Sequence, residues 1–221
     1  MGWGVRLGSV RELEAKNAIE RKQLMQSLFD YLSQTGIKAE LQQEPATNLL
    51  GMAALEPVIH LKEQNLDRIR LVGMDSGGCG VPGDILRFQY EIHLDKELSE
   101  EQMKNGSAST KVIKEGKVMN FFGGKVVGVK WVGQKLAEIL NQDQSIADDL
   151  MKCVKSWSYM EFQIEAVSSR DVYIAGPRFS DPGRITELYK SGMKEEIQCC
   201  IFGYQILEKI AKHIKTGGIW N

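Results

Sequence analysis

Tyr159-Met160-Glu161-Phe162-Gln163-Ile164-Glu165-Ala166 alternates apolar and polar residues without a break. Met160, Phe162, Ile164 and Ala166 fall on one side and Glu161, Gln163 and Glu165 on the other, the period of two of a strand with one buried face. Ser168-Ser169-Arg170-Asp171 supplies turn chemistry. Val172-Tyr173-Ile174 reads as the returning antiparallel strand, with Gly176-Pro177 as its end. Asp181-Pro182 has the form of a helix entry, a capping side chain followed by a proline whose missing N–H costs nothing there, and Gly192 is the expected break. Beyond it Ile197, Cys200, Ile201, Tyr204, Leu207, Ile210, Ala211 and Ile214 recur at spacings of three and four. That stripe predicts a long amphipathic helix whose natural cover is a sheet. Gly203 falls inside it, at a cost of about 1 kcal/mol against alanine.

Working outward, the earlier chain is mostly strand-like. Leu86 to Leu94 alternates most cleanly: Leu86, Phe88, Tyr90, Ile92 and Leu94 against Arg87, Gln89, Glu91 and His93. Ile37 to Leu41 alternates too, and Pro57–Lys62 with Arg68–Val72 reads as a hairpin over the polar turn 63–67. A second hairpin is expected from Lys111–Lys114 and Lys117–Phe122, turning at Glu115-Gly116, with Lys125–Val132 a further strand. Helices are expected from Ser9 to Gln34, with Ser9-Val10-Arg11-Glu12 as a capping box and Gly36 at the C-terminal end, and briefly after Ser99. A third runs from Gln134 to Val154, interrupted at 141–145. Strands follow strands rather than alternating with helices. The chain is therefore read as α+β, a largely antiparallel sheet covered by an N-terminal helix, a mid-chain helix and a long C-terminal amphipathic helix. Residues 1–221 are taken as one domain, with 98–110 the place where two lobes would divide.

The bulk properties narrow the function classes. A composition 43% hydrophobic and 26% charged is that of an ordinary globular chain able to build its own core. A net charge of −1 argues against a protein devoted to nucleic acid. No apolar run is long enough to span a membrane, and Met1-Gly2-Trp3-Gly4-Val5-Arg6 lacks a signal-peptide core. Cys79, Cys153, Cys199 and Cys200 have no C-x-x-C spacing. The expectation is a cytoplasmic protein with reduced thiols.

Gly78, Gly80 and Gly83 match G-x-G-x-x-G, but the loop leads into the strand 86–94 instead of a helix, and Pro82 removes an amide. The dinucleotide reading needs helix amides at the pyrophosphate and is set aside. Cys79 in the Gly77–Gly83 loop is the candidate nucleophile, with His60 or His93 as the base it would need. The three histidines fit no metal motif, so no metal is expected, and no residue pattern points to a particular cofactor. Gly176-Pro177-Arg178-Phe179-Ser180-Asp181-Pro182-Gly183-Arg184 is the most suggestive polar stretch: two arginines bracket an expected helix N-terminus, where an anion is favoured. Trp131 and Trp157 flank the mid-chain helix and Tyr159, Tyr173 and Phe179 lie around the final hairpin, a set able to line a pocket beneath the long helix. The leading expectation is a non-enzymatic protein binding a small anionic or amphipathic ligand between the sheet and the C-terminal helix. Arg178 and Arg184 would anchor it, beside Tyr159, Tyr173 and Trp157. The alternatives are an enzyme using Cys79, and a subunit of a homo-oligomer held by the Ile197–Ile214 stripe.

Overall fold

A computed structural model of the chain describes residues 7–47, 53–74, 85–115, 125–156, 162–179 and 203–216. The fold is α+β. Eight strands form one antiparallel sheet: β1 (Ala39–Thr47), β2 (Ala53–Leu61), β3 (Arg68–Met74), β4 (Ile85–His93), β5 (Ala108–Glu115), β6 (Lys125–Gly133), β7 (Gln163–Ala166) and β8 (Asp171–Phe179). Among the described residues the helices are α1 (Leu7–Gln34), α2 (Glu100–Asn105), α3 (Lys135–Gln142), α4 (Gln144–Ser156) and α5 (Tyr204–Thr216). None of the described helices is long and apolar enough to cross a membrane.

The spatial order β1-β2-β3-β4-β8-β7-β5-β6 explains why the 159–179 stretch organises the chain. β1 to β4 meander in sequence order, and β5–β6 form a separate hairpin. The β7–β8 hairpin then fills the gap, β8 pairing with β4 and β7 with β5. The sheet is thus continuous across the 98–110 segment.

The register produces transverse rows that alternate in chemistry. Leu41, Ile59, Ile69, Tyr90, Ile174, Ile164 and Ala108 stand side by side across seven strands. All but Leu41 are buried, and all belong to or pack on one continuous core. One residue along each strand lies the row Glu40, His60, Arg68, Glu91, Tyr173 and Glu165. Because neighbouring side chains on a strand point to opposite faces, this second row belongs to the other face of the sheet. Val58 and Ala175 lie on that face also; both are buried, yet neither joins the core.

The helices cover the apolar face. Leu24, Met25, Leu28 and Leu32 of α1 are buried against β1 and β2, and Gly36, with φ of +81°, turns the chain just past the helix end at Gln34. Ile206, Leu207, Ile210, Ala211 and Ile214 of α5 are completely buried in the same core. Its polar residues are tied down as well. Glu208 accepts from the backbone N–H groups of Asn65 and Leu66 at 2.5 and 3.1 Å, clasping the β2–β3 turn. Lys209 pairs with Asp149 of α4 at 2.6 Å, and Lys215 with Asp67 at 2.9 Å. His213 reaches Asp143, the residue before α4, at 2.7 Å.

Several elements differ from their sequence expectations. β8 does not end at Gly176-Pro177 but runs to Phe179. Arg87 pairs with Arg178 and Gln89 with Ala175, so β8 carries one extra residue, a bulge that accommodates a proline with no N–H to donate. Gly176 sits at this close approach, where an added Cβ would meet the Phe88 carbonyl oxygen at 3.3 Å. The partner of β5 is Lys125–Gly133 rather than 117–122, which lies outside the described residues. β1 continues through the segment after Leu41 to Thr47. Gly203 precedes α5 instead of interrupting it, with φ of +42°, a conformation in which glycine avoids the Cβ clash of other residues. Helix α1 begins at Leu7, so Ser9 lies within it; the capping box is formed at Ser99 and Gln102 of α2.

Candidate functional site

The polar face of the sheet carries a connected set of charged side chains whose centre is Glu91. β4 brings Glu91 outward because Tyr90 and Ile92 take the core side. β3 brings Arg68 and Arg70 outward for the same reason, flanking buried Ile69. Arg70 Nε lies 2.7 Å from Glu91 Oε1, and Arg68 Nε lies 2.8 Å from Oε2. The second contact is an ion pair whose N–H is not aligned as a hydrogen bond. Gln89 donates to Oε1 at 3.2 Å. The other end of Arg70 donates through Nη2 to Glu44 of β1, and Glu44 Oε1 is 2.6 Å from His60 Nε2 on β2. One network thus joins His60, Glu44, Arg70, Glu91 and Arg68 across four strands.

Its burial is unusual for a sheet face. The Glu91 side chain is only 5% exposed, Arg70 is 24% and Arg68 is 36%. Burial alone would push the Glu44 carboxyl up. The hydrogen bonds from Arg70 and His60 and the Arg70 charge outweigh it, leaving Glu44 below the usual carboxylate value. Arg70 is likewise held above its ordinary value: Glu91 and Glu44 overcome the burial that would lower it.

Tyr173 stands next to Glu91 in the same row. Partial burial, then the charges of Glu91 and Asp171, raise its hydroxyl above the ordinary tyrosine value, so it remains a neutral donor. At the end of β4, His93 Nδ1 lies 3.0 Å from Asp171 Oδ1, and Asp171 Oδ2 accepts from the Ser168 hydroxyl at 2.7 Å. Hydrogen bonds from His93 and Ser168 lower the Asp171 carboxyl despite its burial, with the Arg68 charge adding to the effect.

Of the expected site residues, Tyr173, His60 and His93 lie on this polar face, on the opposite side of the sheet from α5. Each histidine pairs with a carboxylate, His60 with Glu44 and His93 with Asp171. Arg178 stands in β8 opposite Arg87 in the register. Cys79, the Gly77–Gly83 loop, Trp157, Tyr159 and Arg184 lie outside the described residues. Glu44, Glu91, Arg68 and Arg70 were not singled out by the sequence. The available signal was the polar half of the 86–94 alternation and the Arg68-x-Arg70 spacing on a strand, but neither reveals which strands meet. Among the described residues no group of three or more histidine, cysteine, aspartate or glutamate side chains could hold a metal ion. Comparison with models of known protein families, with curated proteins and with solved structures finds no match to the chain.

Proposed function

We propose that the protein is a non-enzymatic binding protein whose ligand is a small molecule bearing an anionic group. The ligand lies on the polar face of the sheet against Arg68, Arg70 and Tyr173. The supporting observation is Glu91, a carboxylate buried away from the hydrophobic core and bridging two guanidinium groups through their Nε atoms. A buried ion pair is a poor source of stability, because desolvation offsets most of the attraction. What the bridge accomplishes is orientation. Glu91 holds Arg68 and Arg70, two residues apart on one strand, each through Nε, so its contact with Arg68 does not use the Nη groups. Fixed guanidiniums lose little entropy on taking a carboxylate or phosphate. Tyr173 adds a neutral O–H donor and an aromatic face beside them.

The location beneath α5 expected from the sequence is less suited. The inner residues of that helix are fully buried in the core, and Glu208, Lys209, His213 and Lys215 on it already have partners. The test is thermal denaturation in a panel of inorganic phosphate, sulfate, citrate and short carboxylates, with wild type beside Arg68→Met. At least one anion should raise the wild-type midpoint and leave that of the variant unmoved. Equal shifts in both proteins, or none in either, would contradict the reading.

A further inference from the structure

We infer that the ligand of the polar face is a zwitterion, with its anionic group on Arg68 and a cationic group at its other end on Glu165. The inference rests on the binding reading above and names the class of molecule bound. It starts from the partners of the acidic residues on this face. Glu40 pairs with Lys62, Glu44 with Arg70 and His60, Glu56 with Arg21, Glu91 with Arg68 and Arg70, and Asp171 with His93. Glu165 of β7 differs. Its side chain is exposed, and no described residue pairs with it. The remaining cations of the face are engaged or stand apart from it. Arg87 donates to Gln163 at 3.3 Å. Lys111 and Lys130 face each other on β5 and β6, beyond the Ser109–Gln163 pair on the side away from Glu165.

The register sets the spacing. Arg68, Glu91, Tyr173 and Glu165 are successive members of one row on β3, β4, β8 and β7. Arg68 carries its guanidinium to Glu91 on the next strand, with Nε 2.8 Å from Oε2. From that strand to β7 is two strand spacings, about 10 Å, with Tyr173 between them. A molecule with one charge at each end of a short alkyl chain spans this gap. Its carboxylate meets Arg68, its chain crosses Tyr173 and its ammonium reaches Glu165. A dicarboxylate of the same length brings a like charge to Glu165 instead. The carboxylate that accepts the zwitterion therefore also selects against the dianion.

The probes are 6-aminohexanoate, hexanoate and adipate, which share a chain length and differ only in the group at one end. Their affinities for the full chain are measured by NMR titration at neutral pH, for wild type, Glu165→Gln and Glu165→Lys. Wild type should bind 6-aminohexanoate about two- to fivefold tighter than hexanoate, the worth of one exposed ion pair, and should bind adipate less tightly than 6-aminohexanoate. In Glu165→Gln the first two probes should bind equally. Glu165→Lys should reverse the order and prefer adipate to 6-aminohexanoate. Glu165 is exposed, so neither change disturbs the core. Equal affinity of wild type for hexanoate and 6-aminohexanoate overturns the zwitterion assignment and leaves the anion site standing. One preference shared by all three proteins does the same. Failure of wild type to bind any of the probes overturns the inference together with the binding reading.

Discussion

Replacing Glu91 by glutamine removes one charge and almost no volume. Arg68 and Arg70 then stand two residues apart on β3 with no carboxylate between them, and Arg70 keeps only Glu44. Breaking a buried ion pair by removing one partner costs about 3–5 kcal/mol, because the other charge is left desolvated. Glu91 is nearly inaccessible, which argues for that range, but Arg68 is exposed to about a third, which lets water screen it. The lower end, about 3 kcal/mol, is therefore expected. For a chain of this size that is about 6–12 °C in the thermal midpoint. Urea unfolding followed by circular dichroism gives the same quantity at constant temperature. A companion variant carrying Glu91→Met, Arg68→Met and Arg70→Met removes the three charges of the bridge at once, leaving Glu44 with His60, and should lose less than the single change. If Glu91→Gln costs under about 1 kcal/mol, as a solvent-exposed pair would, Glu91 does not hold the two arginines, and the orientation argument falls with it.

Three further outcomes follow from the fold. Asn141 accepts from the Trp131 N–H and donates to the Trp131 carbonyl, both at 2.9 Å, sealing part of the β6 edge; Asn141→Ala should cost about 1–3 kcal/mol in urea unfolding, and a neutral result would show that water replaces it freely. Ile210→Ala empties a fully buried site beneath α5 and should cost about 2–5 kcal/mol, whereas a loss below about 1 kcal/mol would mean the helix does not close the core. Hydrogen bonds from Ser145, then His213, hold the Asp143 carboxyl well below its ordinary value, so the stability it contributes is full above the unfolded value and fades as pH falls towards the folded one. The midpoint of wild type should accordingly exceed that of Asp143→Asn at pH 6, with the gap narrowing as pH falls below the ordinary carboxylate range; a gap independent of pH would place the effect in shape instead of charge.

Most of the strands were legible because one face of the sheet is buried and the other is not. Leu86–His93 and Gln163–Ala166 declare this by strict alternation. The 163–174 hairpin could be read from local turn chemistry alone. What escaped were features set by residues distant in the chain. Pro177 read locally is a strand end; only the pairing of β8 with β4 makes it a bulge. Local turn chemistry pairs Lys111–Lys114 with the nearest apolar run, while the strand that pairs with β5 begins ten residues after β5 ends. The helix break expected over 141–145 falls at Asp143, between α3 and α4; Asn141 lies inside α3, and its side chain clamps an edge strand. The candidate site is the extreme case. Glu44, His60, Arg70 and Glu91 lie on four strands, and only the register of all four brings them together. Polar residues on the outer positions of strands are ordinary, and nothing in the sequence marks these as a network.

The most direct test is native mass spectrometry of the purified wild-type protein beside the Arg68→Met, Arg70→Met variant, each with a denatured control. Binding at the polar face predicts that anions added from the panel above are retained as a discrete extra mass on folded wild type and lost from the variant. Equal retention by both proteins would place the ligand elsewhere and contradict the account.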